Sequence, residues 1–250
     1  MFNLNYGLLQ YLFGELHLAT EEWHVTLAKI GFLVFSLIAA YLLGSINSAI
    51  IVSKLLYHDD IRNHGSGNAG LTNILRTYGA KAALLTLFGD IFKTVLAVCI
   101  PGILLGFYYV AGVSTGEGYC YVAGLFAVLG HVFPIYYGFK GGKGVLTTAT
   151  MALVLSPIPF LLLLLIFVII VALTKYVSLG SVTGVGLYPV LMHAYFQFAM
   201  NAKMHGLVAI SLILIAVLII WCHRGNLQRI SNRTERKLSF KKKKDDAEQK

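Results

Sequence analysis

Four stretches of this sequence, residues 30–53, 118–139, 144–174 and 176–202, run without one charged side chain. Each matches or exceeds the ~20 apolar residues that cross a bilayer as a helix. Composition agrees: 57% of the chain is hydrophobic and 12% charged, where a soluble domain carries about 25% charged residues. The sequence therefore reads as an all-α integral membrane protein. Its opening, MFNLNYGLLQYLFGEL, has no basic region before the apolar residues, so it is not read as a signal peptide. Residues 2–13, with Tyr6, Tyr11 and Phe13, read as an interfacial segment. Cys99, Cys120 and Cys222 sit in apolar runs without ligand-like spacing, so they read as small hydrophobes and imply neither disulfide nor metal.

Seven helices are expected, at about 30–54, 80–111, 119–137, 144–155, 158–174, 178–200 and 205–222. The stretch 144–174 is too long for one upright helix at 1.5 Å per residue. The prolines of SPIP, residues 156–159, divide it. With seven spans the two ends lie on opposite sides. One side receives residues 54–81, 138–143, Lys175 and the tail from 223, which hold 17 of the 20 lysines and arginines. The positive-inside rule puts that side in the cytoplasm and the N-terminus outside. The expected organisation is an extracytoplasmic segment 1–29, a membrane domain 30–222, and a cytoplasmic motif with a basic tail, 223–250. The tail reads as a solvated end.

Four polar stretches fall on that cytoplasmic side. The first, IRNHGSGNAGLTNILR at 61–76, follows LLGSINSA, which contains Ser45. It carries Ser66, Asn68, Thr72, Asn73 and Arg76, with Gly65, Gly67 and Gly70 letting backbone N–H groups approach a ligand. Arg76 offers a planar fork suited to phosphate. The second, GHVFPIYYGFKGGKG at 130–144, surrounds Lys143 with Gly141, Gly142 and Gly144 just before a helix, where free N–H groups favour anions. It is not a nucleotide-binding P-loop: Tyr137 stands where that motif needs glycine, and Gly144 follows the lysine. His131 reads equally as packing or function. The third, KYVSLGSVTG, offers Ser178 and Ser181, which serve equally well as helix caps. In the fourth, His223, Asn226 and Arg229 recur every three residues and share one face if the seventh helix continues; Glu235 follows. Asp90 and Lys93, three apart inside a span, read first as a structural ion pair.

Together GSGNAGLTNILR, GHVFPIYYGFKGGKG, YVSLGS and HRGNLQR…E resemble the acyl-phosphate-dependent glycerol-3-phosphate acyltransferases of bacteria, over about residues 30–238. The resemblance implies transfer of a fatty acyl group from acyl phosphate to the 1-hydroxyl of sn-glycerol 3-phosphate. The products are lysophosphatidic acid and phosphate, and acyl-CoA, cofactor and nucleic acid are not involved. It implies seven spans in a bacterial cell membrane, with the site facing the cytoplasm among membrane lipids. It places Ser66, Thr72 and Arg76 at the phosphate and glycerol site, and Lys143 on the substrates' phosphates. Ser178, His223 and Asn226 fall at the acyl-phosphate end, with Glu235 in the last motif. Ser66, Lys143, His223 and Asn226 are the expected catalytic set. Ser45, Gly67, Asn68, Thr72, Asn73, Arg76, Gly141, Gly142, Gly144, Ser178, Arg229 and Glu235 are the expected binding set. Three departures stand out: Ala69 for a frequent proline, Thr94 for glycine, and Asn232–Arg233 for a glycine before Thr234.

Two anionic substrates need positive charge and N–H groups, and a mixed anhydride is already activated, so positioning and charge stabilisation suffice. No triad-like serine or placed cysteine marks a covalent nucleophile, so direct transfer is expected. The base is His223 or a substrate phosphate oxygen. The competing readings are an organophosphate transporter, which predicts polar residues along a pore, and a non-catalytic scaffold, which leaves the glycine–lysine loop unexplained.

Overall fold

The structure is a computed structural model that describes residues 22–105 and 117–238, together with residues 8, 11 and 12. The expected interfacial segment (apart from residues 8, 11 and 12), the end of the second expected helix and the basic tail beyond residue 238 lie outside the described residues. Every regular element among those described is helical. In chain order the helices are α1 (Glu22–Ser45), α2 (Ser48–Tyr57), α3 (Leu71–Tyr78), α4 (Ala80–Leu105), α5 (Glu117–Val132), α6 (Val145–Leu155), α7 (Pro157–Thr174), α8 (Val177–Ala194), α9 (Gly206–Cys222) and α10 (Arg224–Ser231). Five segments are long and apolar enough to cross a membrane: α1 with α2, α4, the segment Gly118–Tyr137, α7, and α8 with its following turn. The bent pair α9–α10 makes up to six, and α6 is an apolar helix of 11 residues. Their outward faces carry the apolar side chains, with Phe88, Phe92, Leu161, Leu165 and Val217 among those exposed. Such a surface suits lipid.

Packing between helices rests on small residues. A Cβ on Gly44 of α1 would stand 2.2 Å from the Ala127 carbonyl oxygen of α5, and one on Gly130 would stand 2.2 Å from the Tyr41 carbonyl oxygen. Backbone thus meets backbone with no room for a methyl group. In lipid, where apolar surface gains nothing by leaving its solvent, close contact of this kind holds helices together. A second apolar core joins α5, α6, α7, α8 and α9 around Tyr121, Val128, Met151, Tyr188, Met192 and Ile215, with Cys99 and Cys222 packed against it.

The expected first span is broken rather than continuous. Between α1 and α2 the chain departs from helix at Ile46–Asn47; Asn47 caps α2 by accepting from Ile50 N at 3.1 Å. A break inside a bundle leaves carbonyls that need donors. Lys93 supplies them, donating to Gly44 O at 3.0 Å and Ile46 O at 2.6 Å. Its ammonium also meets His131 Nδ1 at 3.0 Å and Asp90 Oδ1 at 2.9 Å. The intramembrane pair is therefore structural, and its work is to seal the broken end of α1. The break expected at SPIP is present: α6 ends at Leu155 and α7 begins at Pro157. A straight continuation of the last helix is not: α10 turns 53° away from α9 at His223.

Candidate active site

The four polar stretches converge at one end of the bundle around a cavity of about 720 Å³. Loop 61–70 is shaped by Asn73, which is buried. Its Nδ2 donates to the carbonyls of Ile61, His64 and Asn68 at 3.2, 2.9 and 3.1 Å, and its Oδ1 accepts from Ser66 N at 3.2 Å. Arg62, paired with Asp60 at 2.7 Å, donates to Tyr137 O at 2.9 Å and fastens this loop to the second one. Loop 138–144 returns onto α5: Gly141 N and Gly142 N donate to Val132 O and His131 O at 3.2 and 3.0 Å. A Cβ on Gly142 would lie 2.1 Å from His131 Nε2. Gly141 and Gly142 thus serve close packing and their N–H groups are spent. This corrects the expectation that they cradle an anion.

The open donors come from helix ends instead. α3, α6 and α8 begin without a side-chain cap, and their first residues, Leu71, Val145 and Val177, line the cavity. Unpaired N–H groups and the positive ends of three helix dipoles face one volume. Lys143 stands among them. Burial holds its ammonium below the ordinary lysine range, opposed by Glu235 and reinforced by Arg229.

A hydrogen-bonded cluster closes the polar end. Lys143 Nζ donates to Asn226 Oδ1. Asn226 Nδ2 donates to Ser178 Oγ at 2.9 Å and Glu235 Oε1 at 2.6 Å; Ser178 Oγ donates to Glu235 Oε1 at 2.7 Å. Arg229 Nε donates to Glu235 Oε2 at 2.8 Å. Burial pushes the Glu235 carboxyl up, but the donors Asn226, Ser178 and Arg229, with the charge of Arg229, outweigh it and leave the pKa lowered. His223 is 4% exposed, and its Nδ1 lies 2.8 Å from Ile219 O. A carbonyl only accepts, so Nδ1 carries the proton and Nε2 keeps its lone pair. Burial, more than the nearby Lys143, lowers its pKa to about 4, so the ring is neutral near pH 7.

The cavity has a second character. Away from the charged end it runs between α6, α7 and α8, lined by Ala152, Phe160, Leu163, Phe167, Val185 and Tyr188. Tyr188 Oη and Ser156 Oγ, 2.7 Å apart, tie α8 to the break between α6 and α7.

Of the expected residues, Ser66, Asn68, Thr72, Asn73, Arg76, Lys143, Gly144, Ser178, His223, Asn226, Arg229 and Glu235 line the cavity. Gly67, Gly141, Gly142 and Ser45 do not; Ser45 is fully buried, its hydroxyl donating to Tyr41 O at 2.8 Å inside α1. Asp90, His131, Thr148, Ser181, Tyr188 and Arg236 line it without having been singled out as site residues. Asp90, His131 and Ser181 carry a polar signal in the sequence. Arg236 carries none, because it sits in what reads as a solvated tail.

The departure Asn232–Arg233 finds its explanation in the backbone. Arg233 has φ +58°, the left-handed region where glycine is favoured. The chain adopts the glycine conformation without the glycine, and Glu235 reaches the cluster.

Fold and site define an integral membrane protein whose cavity joins an end rich in cations and backbone N–H groups to an apolar arm. Residues 34–233 match the family model described as glycerol-3-phosphate acyltransferase. Curated relatives of that name include those of Clostridioides difficile (strain 630), 42% identical over 82% of this chain and 95% of the relative, and Bacillus subtilis (strain 168), 41% identical over 82% and 96%. Two crystal structures of the integral membrane glycerol 3-phosphate acyltransferase PlsY share the fold. Its glycerol 3-phosphate form matches at TM-score 0.71 and 33% identity over 83% of this chain and 96% of that one. Its lysophosphatidic acid form matches at 0.69 and 32% over 83% and 95%. The chain belongs to the glycerol-3-phosphate acyltransferase family and is a membrane acyltransferase.

Proposed function

We propose that this acyltransferase moves a fatty acyl group from acyl phosphate to the 1-hydroxyl of sn-glycerol 3-phosphate, releasing lysophosphatidic acid and phosphate. The carrying observation is the two-character cavity: uncapped helix ends, Lys143 and guanidinium groups at one end, an apolar arm at the other. A long-chain acyl phosphate has that same division. Its chain takes the arm between α6, α7 and α8, and its phosphate lies by Lys143 and the starts of α6 and α8. Glycerol 3-phosphate enters from the aqueous side, beside α3 and Arg76.

The hydroxyl oxygen attacks the acyl carbonyl carbon; the carbon–oxygen bond to phosphate breaks. His223 Nε2 takes the hydroxyl proton and the released phosphate leaves as the anion. Asn226, fixed by Ser178 and Glu235, orients Lys143 toward the negative charge that develops. Transfer is direct, without an acyl-enzyme. The three polar loops after α2, α5 and α7 and the segment after α9 meet at one end, which supports seven crossings, α6 being the short one. That end is rich in Lys and Arg, which supports a cytoplasmic site and an outside N-terminus in a bacterial cell membrane.

The test is purified protein with long-chain acyl phosphate and glycerol 3-phosphate, without CoA. Equimolar phosphate and lysophosphatidic acid, lost in Lys143→Ala, is the expected result. No product from acyl phosphate, or a trapped acyl group on a side chain, overturns the reaction or its direct course respectively.

A further inference from the structure

A hydroxyl inside a helix finds its acceptor in the preceding turn, and this chain follows that habit. Ser36, Thr94, Thr150, Thr174 and Ser181 donate to the carbonyl four residues back at 2.7–2.9 Å. Thr148 of α6 departs from it. Its backbone N–H donates to Gly144 O at 2.9 Å, but its Oγ1 is buried with no hydrogen-bond partner among the described residues. The residue is 3% exposed. Thr86 and Thr147 share that condition; Thr148 lines the cavity and those two do not. A buried hydroxyl left unpaired costs free energy. One that faces a cavity recovers it when a ligand supplies the partner.

The place of this hydroxyl along the cavity says what the partner is. α6 presents Val145, Thr148, Ala149 and Ala152 to the cavity, the spacing of one helix face. Toward the helix start lie Lys143 and the uncapped first turn; toward its end lie only the methyl groups of Ala149 and Ala152. Thr148 stands about 6 Å along the axis from Gly144. It therefore marks the boundary between the charged end and the apolar arm. A molecule with its phosphate by Lys143 and its chain in the arm has one polar atom at that boundary, the carbonyl oxygen that lies between them. A carbonyl oxygen only accepts, and a hydroxyl free of its own helix can donate.

We infer that the Thr148 hydroxyl donates to the acyl carbonyl oxygen and is a further catalytic residue of this enzyme. The inference rests on the reaction proposed above. As the glycerol hydroxyl adds to the carbonyl carbon, the carbonyl π pair moves onto that oxygen; it returns as the carbon–oxygen bond to phosphate breaks. The hydrogen bond from Thr148 is strongest while the charge stands on the oxygen, so it favours the transition state over the bound substrate. After transfer the same oxygen is the ester carbonyl of lysophosphatidic acid, and the contact persists in the product complex.

Thr148→Val, which removes the hydroxyl and keeps the shape, is compared with Thr148→Ser and wild type in three measurements. First, Thr148→Val lowers kcat roughly ten- to a hundredfold, the range for a hydrogen bond to developing charge; KM for glycerol 3-phosphate moves less than about threefold, and Thr148→Ser keeps most of the rate. Second, the Tm of Thr148→Val in detergent without substrate equals or exceeds that of wild type, because no bond within the protein is lost. Third, lysophosphatidic acid isotope-labelled at its carbonyl shows a lower infrared stretching frequency when bound to wild type than when bound to Thr148→Val. A kcat within about threefold of wild type overturns the catalytic role. A lower Tm shows that the hydroxyl serves the fold and overturns its assignment to the substrate. Coincident carbonyl bands overturn the contact. If wild type makes no product from acyl phosphate, the reaction reading fails, while the infrared measurement needs only lysophosphatidic acid and still decides whether Thr148 meets the carbonyl.

Discussion

Replacing Glu235 by glutamine removes one charge and no volume, and the structure gives its cost. The carboxylate accepts from Ser178 and Asn226 on Oε1, at 2.7 and 2.6 Å, and from Arg229 on Oε2, at 2.8 Å. All three neighbours are donors. Glutamine has one oxygen and one NH2 group, so one of the two positions faces a donor with a donor. The better orientation keeps the oxygen on Ser178 and Asn226 and turns the NH2 toward Arg229. One charge-assisted hydrogen bond is lost and two become ordinary; charged bonds contribute roughly 1.5–3 kcal/mol and neutral ones about 1. Arg229 is 46% exposed, so solvent screens its share, and the net loss lies at the low end of that sum, about 2–3 kcal/mol. Asn226 keeps its acceptor but loses the charge that fixed it, and it holds Lys143 less firmly. If the transition state uses that geometry, kcat/KM for lysophosphatidic acid formation falls roughly 30- to 150-fold. Initial rates at subsaturating glycerol 3-phosphate measure it. Because Arg229 belongs to the same network, Arg229→Met and Glu235→Gln together cost about 1 kcal/mol less than their sum. A variant within threefold of wild type, with additive double-mutant behaviour, refutes the view that this cluster positions Lys143.

Gly142→Ala drives a methyl group against His131 Nε2, at 2.1 Å, and Ala69 O, at 2.7 Å; a loss of about 1–3 kcal/mol follows, read as a lower Tm in detergent. His223 titrates at about 4 in the folded chain against an ordinary 6.5, so the unfolded chain takes up this proton first. The group's contribution is complete above pH 6.5 and drains as pH falls toward 4, by roughly 3 kcal/mol at most, and His223→Asn flattens that part of the Tm–pH curve. Arg233→Gly relieves the left-handed backbone, keeps activity and gains up to about 1 kcal/mol of stability, whereas Arg233→Val loses heat resistance. Ala149→Phe narrows the apolar arm, which Ala149 lines; its kcat/KM falls more with long-chain than with short-chain acyl phosphate, and an equal fall with both contradicts the placement of the chain.

The sequence made the membrane-spanning runs legible because hydrocarbon tolerates few charges and the runs advertise their length. The break at residues 156–159 was equally open, since two prolines cannot both continue a helix. The break at Ile46–Asn47 was not, because its donors come from Lys93, 47 residues away on another helix. The same holds within the site. Lys143, His223, Asn226 and Glu235 stood out as polar groups in an apolar chain. Which N–H groups remain open did not, because Gly141 and Gly142 spend theirs on α5 carbonyls that the loop reaches only after folding. Arg236 shows the opposite failure: nothing in a basic tail distinguishes the arginine that turns inward from those that do not.

Helix α6 has a mechanical consequence. Its 11 residues rise about 16 Å, roughly half the hydrocarbon thickness of a bilayer. Its neighbours are longer, so around the site the membrane meets a notch rather than a wall, and lipid tails there must shorten or tilt to cover it. A notch of that depth lowers the distance over which a head group and a fatty tail have to part company. On this reading the reaction rate follows bilayer thickness, and reconstitution in lipids of graded chain length measures that dependence.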